Sequence, residues 1–332
     1  MINNQTNVSV IIPTYNRVDD LERCLSALFK QTFRNFETII VDNGCTDSTI
    51  DMLQKYQVKI IKDTARNVTH LFNVGWHNSG AGIIAFTNDD AEPDKDWLQN
   101  IVDTFKVYID AGAVGGPTVL PESSLNNQEM LRLHSKSRKS LLFRIPAWIY
   151  ENIVLEGKYH HIGVLCESGG YSVGGSLYES TKLDKPITVD LLSITNVAIK
   201  KIILEKINGL DENFRFTHGD GDLFIRIRNS GYKLIFNPKA IVWHHVNPAG
   251  DTRASFWRGR DHAYFLKKCI KPKTMSGRVK VFLNIVFFNI YWIYKSIEKR
   301  DLAFLKGVFG FLQGIRDFNS VNRGKGVFFK KY

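Results

Sequence analysis

Two adjacent acids, Asp89 and Asp90, follow directly on the strand-like run Ile83–Thr87 in the stretch IIAFTNDDAEPDKDW, with Asn88 at the junction. Neighbouring carboxylates at the edge of a core repel each other and are costly to desolvate, so they call for a positive partner. Two earlier apolar runs end in a similar way. VSVIIPTYN leads into Thr14-Tyr15-Asn16-Arg17, and FETIIVDNG ends at Asp42-Asn43. Each taken alone is explained by a turn or a helix cap, where Asp and Asn are favoured. Three at one sheet edge point to a ligand, because parallel α/β sheets bind ligands beyond the carboxyl ends of their strands. A nucleotide is a reasonable candidate, yet the chain has no GxGxxG after a strand and no GxxxxGK[ST]. That weighs against a dinucleotide oxidoreductase and a P-loop NTPase. A diphosphate bound without a glycine loop needs another positive charge, such as Mg2+ or Mn2+ held by one carboxylate and the phosphate oxygens. Asp89-Asp90 suits that role. A further acidic pair, Asp220 and Asp222 in HGDGDLF, opens a helical pattern. Helix capping and the helix dipole favour acids at such a position.

The elements that must position these groups alternate in kind over the first 116 residues. RVDDLERCLSALFKQ places Leu21, Cys24, Leu25, Leu28 and Phe29 on one helical face. TDSTIDMLQKY reads as a helix capped by Thr46 with Asp47 in its first turn, VKIIKD as a strand, NVTHLFNVGWHNS and DKDWLQNIVDTFKVY as helices, and AGAVGGPT as a short strand. Strands spaced by single helices predict an α/β fold with a largely parallel sheet covered on both faces. Residues 117–185, with four glycines in GGYSVGGSLYES, predict turns or a loop. Beyond them come a strand and a helix ending at Gly209, a helix closed by Gly231, and strands around Pro238.

The chain carries a net charge of +11, unevenly placed: residues 253–332 hold 18 Lys and Arg against 4 Asp and Glu, leaving the first 252 residues at −3. A basic end on a near-neutral body suits an anionic surface. In that region VFLNIVFFNIYWIY (281–294) is nearly all apolar, but as a helix it would span only about 21 Å against a hydrocarbon core of roughly 30 Å. Leu302, Leu305, Val308, Phe309, Leu312 and Ile315 then recur at helical spacing among Lys299, Arg300, Lys306 and Arg316. Such helices lie in a membrane interface or pack as ordinary core. Their bulk suits lipid better than a phosphate groove, so nucleic acid is not expected as a partner. FWRGRDHAYFLKK (256–268) reads as a strap over a diphosphate, a lipid-phosphate contact or a solvated basic face. His70, Trp76 and His77 read as structural. The four cysteines form no CxxC, which fits a reducing compartment, and MINNQTNVSV lacks the marks of a secretory signal.

VSVIIPTYNR, IIVDNGCTDST and IIAFTNDDAEPDKDWL, in this order, resemble the nucleotide-binding half of family 2 glycosyltransferases with the GT-A fold. INGLDENF and HGDGDLFIRIRNSGYKLIFNPKAIVWHH resemble the acceptor half. The likeness covers about residues 8–246. It implies a Rossmann-like, mainly parallel sheet divided into a nucleotide-sugar half (1–116) and an acceptor half (117–252), followed by an amphipathic, membrane-associated helical tail (253–332). Asp42 then contacts the base, with Pro13, Thr14, Tyr15 and Arg17 lining the nucleotide pocket. Asn88-Asp89-Asp90 occupies the DxD-type motif, Asp89 near the ribose and Asp90 on the metal. Asp220 stands where an acid serves as base, with Asp222 beside it, and His244 where a histidine lies near metal or diphosphate. Three positions depart from the pattern: Asn88 replaces an acid, Gly219 precedes Asp220 where Glu is usual, and Phe72 stands where many relatives have a basic residue.

The resulting expectation is an inverting, metal-assisted transferase that moves a sugar from a nucleotide-diphosphate donor to a lipid-linked or cell-surface glycan. It would be cytoplasmic, peripheral on the inner face of the cell membrane. The alternative is a membrane-docked scaffold that keeps the fold without turnover.

Overall fold

The computed structural model describes residues 8–122, 124, 129–137, 141–246 and 252–323. The segment 1–7, where a signal was sought, and the last basic residues beyond 323 lie outside them. The chain runs β1 (Val8–Thr14), α1 (Val18–Leu28), β2 (Phe36–Asp42), α2 (Thr49–Leu53), β3 (Lys59–Lys62), α3 (Val68–His77), β4 (Ile83–Phe86), β5 (Ala91–Pro93), α4 (Trp97–Val107) and β6 (Ala111–Gly115). There follow β7 (Thr118–Val119), α5 (Glu129–Ser137), α6 (Leu141–Ile149), β8 (Ile187–Val189), β9 (Val197–Lys200), α7 (Lys201–Ile207), α8 (Gly219–Asn229), β10 (Lys233–Phe236) and β11 (Val242–His244). Three longer helices close the chain: α9 (Thr252–Cys269), α10 (Met275–Lys299) and α11 (Lys306–Asn322).

Eight strands form one sheet in the order β3-β2-β1-β4-β9-β6-β10-β8. Strands β3, β2, β1 and β4 are parallel, whereas β9 enters antiparallel between β4 and β6. The fold is therefore α/β with a mixed, mainly parallel sheet, as the alternation predicts. Side chains alternate across it with period two. Val8, Val10, Ile12 and Ile40 pack with α1 and α4 on one face; Ile11, Ile39 and Val41 pack with α3, α7 and α8 on the other. Each such burial contributes on the order of 1.5–3 kcal/mol, so the sheet is a rigid base for whatever stands at its edge.

A second sheet, β5-β11-β7, lies beyond that edge. In it His244 pairs with Ala91, which brings the histidine beside Asp90. The helix expected over TDSTIDMLQKY is only the five residues of α2, preceded by Ser48. Thr46 is not its cap: its backbone N–H donates to Asn16 Oδ1 at 2.8 Å, which holds the loop after β2 against the end of β1.

The C-terminal region is helical, as expected, and its first helix packs into the core. The FWRGRDHAYFLKK segment is neither a strap nor a solvated face. It lies within α9, whose Arg260, Asp261, Ala263, Tyr264 and Phe265 are buried, the last three in a cluster with Phe214 and Phe311. The α11 helix buries Gly307, Gly310, Phe311 and Gly314 and leaves Phe309 and Leu312 exposed, as is Leu302 in the turn before it. A methyl group on Gly310 or Gly314 would collide with the carbonyl oxygens of Phe256 or Arg260, so glycine lets the backbones of α9 and α11 touch.

Candidate active site

β1 ends at Thr14, whose hydroxyl donates to Asp89 Oδ2 at 2.9 Å. Beyond it Asn16 takes the left-handed conformation (φ 51°), which asparagine tolerates. That turn carries Arg17 to the carboxylates after β4: Arg17 Nη1 lies 2.9 Å from Asp90 Oδ2 and 3.3 Å from Asp89 Oδ1. His244 Nε2 closes the group at 3.1 Å from Asp90 Oδ1. The acid pair therefore has a cation of the chain's own. Sequence reading placed Arg17 in the nucleotide pocket and missed this pairing, because the partners are some seventy positions apart.

The two acids are held in different electrostatic states. Burial pushes Asp89 up to about 6, with Arg17 pulling the other way and Asp90 adding to the rise. Burial acts in the same sense on Asp90, but the hydrogen bond and charge of His244, with Arg17, outweigh it and hold that carboxyl below its ordinary value. Asp90 is thus the better anion of the pair.

Asp42, buried at the end of β2, accepts from the backbone N–H groups of Gly44 (3.0 Å) and Cys45 (2.7 Å), so one of its oxygens shapes its own turn. Tyr15 is exposed, with the Arg66 guanidinium 5.8 Å from its ring centre. Pro13 sits inside β1 opposite Val41. Asn88 turns the other way, donating to Thr195 Oγ1 at 3.0 Å. The remaining histidines of this half are structural, as expected: His70 bridges Asp63 and Glu212, and His77 lies against Trp76.

Asp220 and Asp222 part company on α8. Asp222 is fully buried and bound on both oxygens, by Arg226 Nε at 2.7 Å and by Lys268 Nζ at 2.6 Å. Asp220 lines two cavities. One, of about 230 Å³, also meets Thr118, Tyr171 and Ser193; the other, of about 190 Å³, meets Asn88, Phe72 and Tyr171. Burial raises the Asp220 pKa, partly offset by backbone N–H groups that include Gly221. The loop before α8 hangs from α9, where the Asp261 carboxylate accepts three consecutive backbone N–H groups, those of Arg215, Phe216 and Thr217.

Among the described residues no three His, Cys, Asp or Glu side chains converge on a point, so no resident metal cage is built. The donors present, Asp90 and His244 with Asp89 alongside, do fit a divalent cation that takes its other ligands from a diphosphate.

Relatives share this arrangement at the level of family and fold. Residues 9–162 match the family described as Glycosyl transferase family 2. The glycosyltransferase AglE of Haloferax volcanii is 27% identical over 44% of this chain, which spans about half (53%) of that protein's length. A dolichyl N-acetyl-α-D-glucosaminyl phosphate 3-β-D-2,3-diacetamido-2,3-dideoxy-β-D-glucuronosyltransferase of Methanococcus voltae is 30% identical, the match covering 86% of this chain and 77% of that one. Among solved structures, the mannosyltransferase PcManGT of Pyrobaculum calidifontis, in complex with GDP-Man and Mn2+, superposes with a TM-score of 0.53 at 16% identity, over 91% of this chain and 73% of its own. The low identity of that structure bears on the fold alone, but the Methanococcus match runs through both halves of the sheet and into the helices behind them, and the chain belongs to glycosyltransferase family 2.

Proposed function

We propose that this protein transfers a sugar from a nucleoside-diphosphate donor to a hydroxyl acceptor with inversion, and that Asp220 is the base. The observation that carries the reading is that Asn88, at the end of a nucleotide-side strand, and Asp220, at the start of α8, line one cavity. A base on that wall takes the proton of the attacking hydroxyl, worth about 10²–10⁴-fold in rate. A single base facing the leaving group gives one displacement and inversion. Asp222, with both oxygens bound by Arg226 and Lys268, holds α8 rather than a proton in flight.

Thr14, Tyr15, Asp42 and Asp89 stand where the nucleoside would lie. Asp90 and His244 would hold Mg2+ or Mn2+, which when bound stabilises charge on the departing diphosphate. Arg17 neutralises the same carboxylates while they wait.

For the acceptor we favour a lipid-linked glycan met at a membrane surface. No helix among the described residues is long and apolar enough to cross a membrane. Yet α10 exposes Met275, Val279, Phe282, Ile290, Ile293 and Ile297 along one side, opposite its buried Asn284, Tyr291 and Lys295. Lys273 and Arg278 stand near one end of this stripe and Lys299 and Arg300 at the other, the charge pattern of an interfacial helix. The Methanococcus relative is named for a dolichyl-phosphate-linked substrate, in keeping with such an acceptor.

The test is a panel of nucleotide sugars with and without Mn2+, assayed for release of nucleoside diphosphate by wild type and Asp220→Asn. Turnover that Asp220→Asn abolishes supports the reading. Turnover unchanged by the substitution removes Asp220 from it, and binding of nucleotide without any turnover favours a scaffold.

A further inference from the structure

A chain of buried polar side chains runs from the C-terminal helices to the wall of the Asp220 cavities. Asn284 on α10 is fully buried, with its amide 2.8 Å from the Ser168 carbonyl oxygen. A carbonyl only accepts, so the Asn284 NH2 faces it, and Oδ1 faces His262 Nε2 at 3.1 Å. That nitrogen must therefore carry hydrogen. Burial pushes His262 down to about 4, so its ring is neutral near pH 7 and Nδ1 is a lone pair. This lone pair accepts from His218 Nε2, 3.2 Å away. His218, stacked on Phe265, is also kept neutral by burial, and its Nδ1 accepts from the Tyr171 hydroxyl at 2.9 Å. Each step leaves one direction for the hydrogen.

The consequence falls at the cavities, for Tyr171 lines both of those that Asp220 lines. The phenol's only proton points inward, and the Thr217 side chain hydrogen-bonds to its oxygen. What Tyr171 has left to offer a ligand is its remaining lone pair. Ionised Asp220 likewise only accepts. Two acceptors lining the same two cavities suit two neighbouring donors, as in the adjacent hydroxyls of a sugar. Building on Asp220 as the base, we infer that Tyr171 reads the acceptor: it accepts a hydrogen bond from the hydroxyl next to the attacking one. His218, His262 and Asn284 are positioning residues that fix which way the Tyr171 proton points.

The experiment uses the full chain, an active nucleotide-sugar donor, and methyl glycosides as surrogate acceptors. Each glycoside is paired with the deoxy analogue that lacks the neighbouring hydroxyl. Wild type should prefer the complete glycoside by 10–100-fold in kcat/KM. Tyr171→Phe should lose that factor, mainly through KM, and treat the pair alike. His262→Phe keeps an aromatic ring on Phe288 but breaks the chain; it should weaken the preference, and the double variant should be no worse than Tyr171→Phe alone. A Tyr171→Phe enzyme that still rejects the deoxy sugar overturns the inference, as do losses that multiply in the double variant. Transfer that survives Asp220→Asn brings down the base assignment and this inference together, whereas an inactive Asp220→Asn beside a discriminating Tyr171→Phe brings down this one alone.

Discussion

Arg17 Nη1 lies 2.9 Å from Asp90 Oδ2, so an arginine from the turn after β1 sits where a diphosphate-bound cation would meet its carboxylate. With Asp90 as the proposed metal ligand, arginine and metal would compete for one anion. Replacing Arg17 by Met should leave Asp89 buried without its counter-charge and Asp90 with His244 alone, and cost about 1–3 kcal/mol of stability in metal-free buffer. Mn2+ should restore more stability to the variant than it adds to wild type. Thermal melts with and without Mn2+ decide it, and equal shifts for both proteins would contradict the competition.

Asp220 and Asp222 should separate cleanly on substitution. Asp220→Asn removes a carboxylate whose pKa burial raises. Ionising such a group costs stability as pH climbs from its unfolded to its folded pKa, so at pH 7 the variant should melt no lower than wild type while turnover falls at least about 10²-fold. In wild type the acid limb of kcat/KM should lie above the ordinary aspartate value of about 3.9. Asp222→Asn should instead lose about 3–5 kcal/mol of stability, because it strips a buried ion pair of one partner. Calorimetry and initial rates on both variants check this.

Lys295 is buried in α10 over the Phe304 ring, and burial pushes it down to about 8, with Glu298 pulling it up. Its folded pKa lies below the unfolded value, so the charged form costs stability below pH 8. That cost is relieved as pH rises from about 8 to 10.5. Lys295→Met should gain on wild type at pH 7, and the gap should close by about 3 kcal/mol by pH 10.5. Melts across that range give the answer.

The α9–α11 seam sets two effects against each other at Gly310. Alanine there gains about 1 kcal/mol of helix propensity. The new methyl, however, meets the Phe256 carbonyl of the facing backbone, which no rotamer change can move aside. The clash should win, with a net loss of about 1–3 kcal/mol. Gly82→Ala, which meets nothing within 4 Å, serves as the control in the same chemical denaturation series.

The α10 stripe predicts flotation with vesicles containing phosphatidylglycerol, weakened by salt. Replacing Phe282, Ile290 and Ile293 together by Glu should abolish flotation, since these exposed side chains would make the proposed apolar contact. Co-sedimentation unaffected by the triple change would place membrane contact elsewhere.

How much of this the sequence disclosed follows from the range of the forces involved. Thr14, Asp42 and Asn88 are legible because each closes a near-continuous apolar run that reads as a buried strand, and parallel strands bring such ends to one edge. The His244–Asp90 contact has no local signal: it depends on the β11–β5 register. The antiparallel entry of β9 is equally silent, since a buried strand reads alike in both directions. In α11 the apolar periodicity marks Phe309 and Leu312, which stay exposed, and is silent on the packed face, because that face is built on Gly307, Gly310 and Gly314. Hydrophobic patterning cannot see a contact made through missing side chains. Arg260 misled for a related reason: a buried arginine, here joined to Asp261 and Asp317, is indistinguishable in sequence from a solvated one.

The three N–H groups that Asp261 gathers from Arg215, Phe216 and Thr217 bear on how pieces of such proteins can be exchanged. A graft that swaps everything after residue 252 for another protein's tail would take away the anchor of the loop carrying His218 and Asp220. A cut after Cys269 keeps that anchor with the sheet, but the incoming helices must still supply Asn284 to His262 and small residues where Gly310 and Gly314 meet α9.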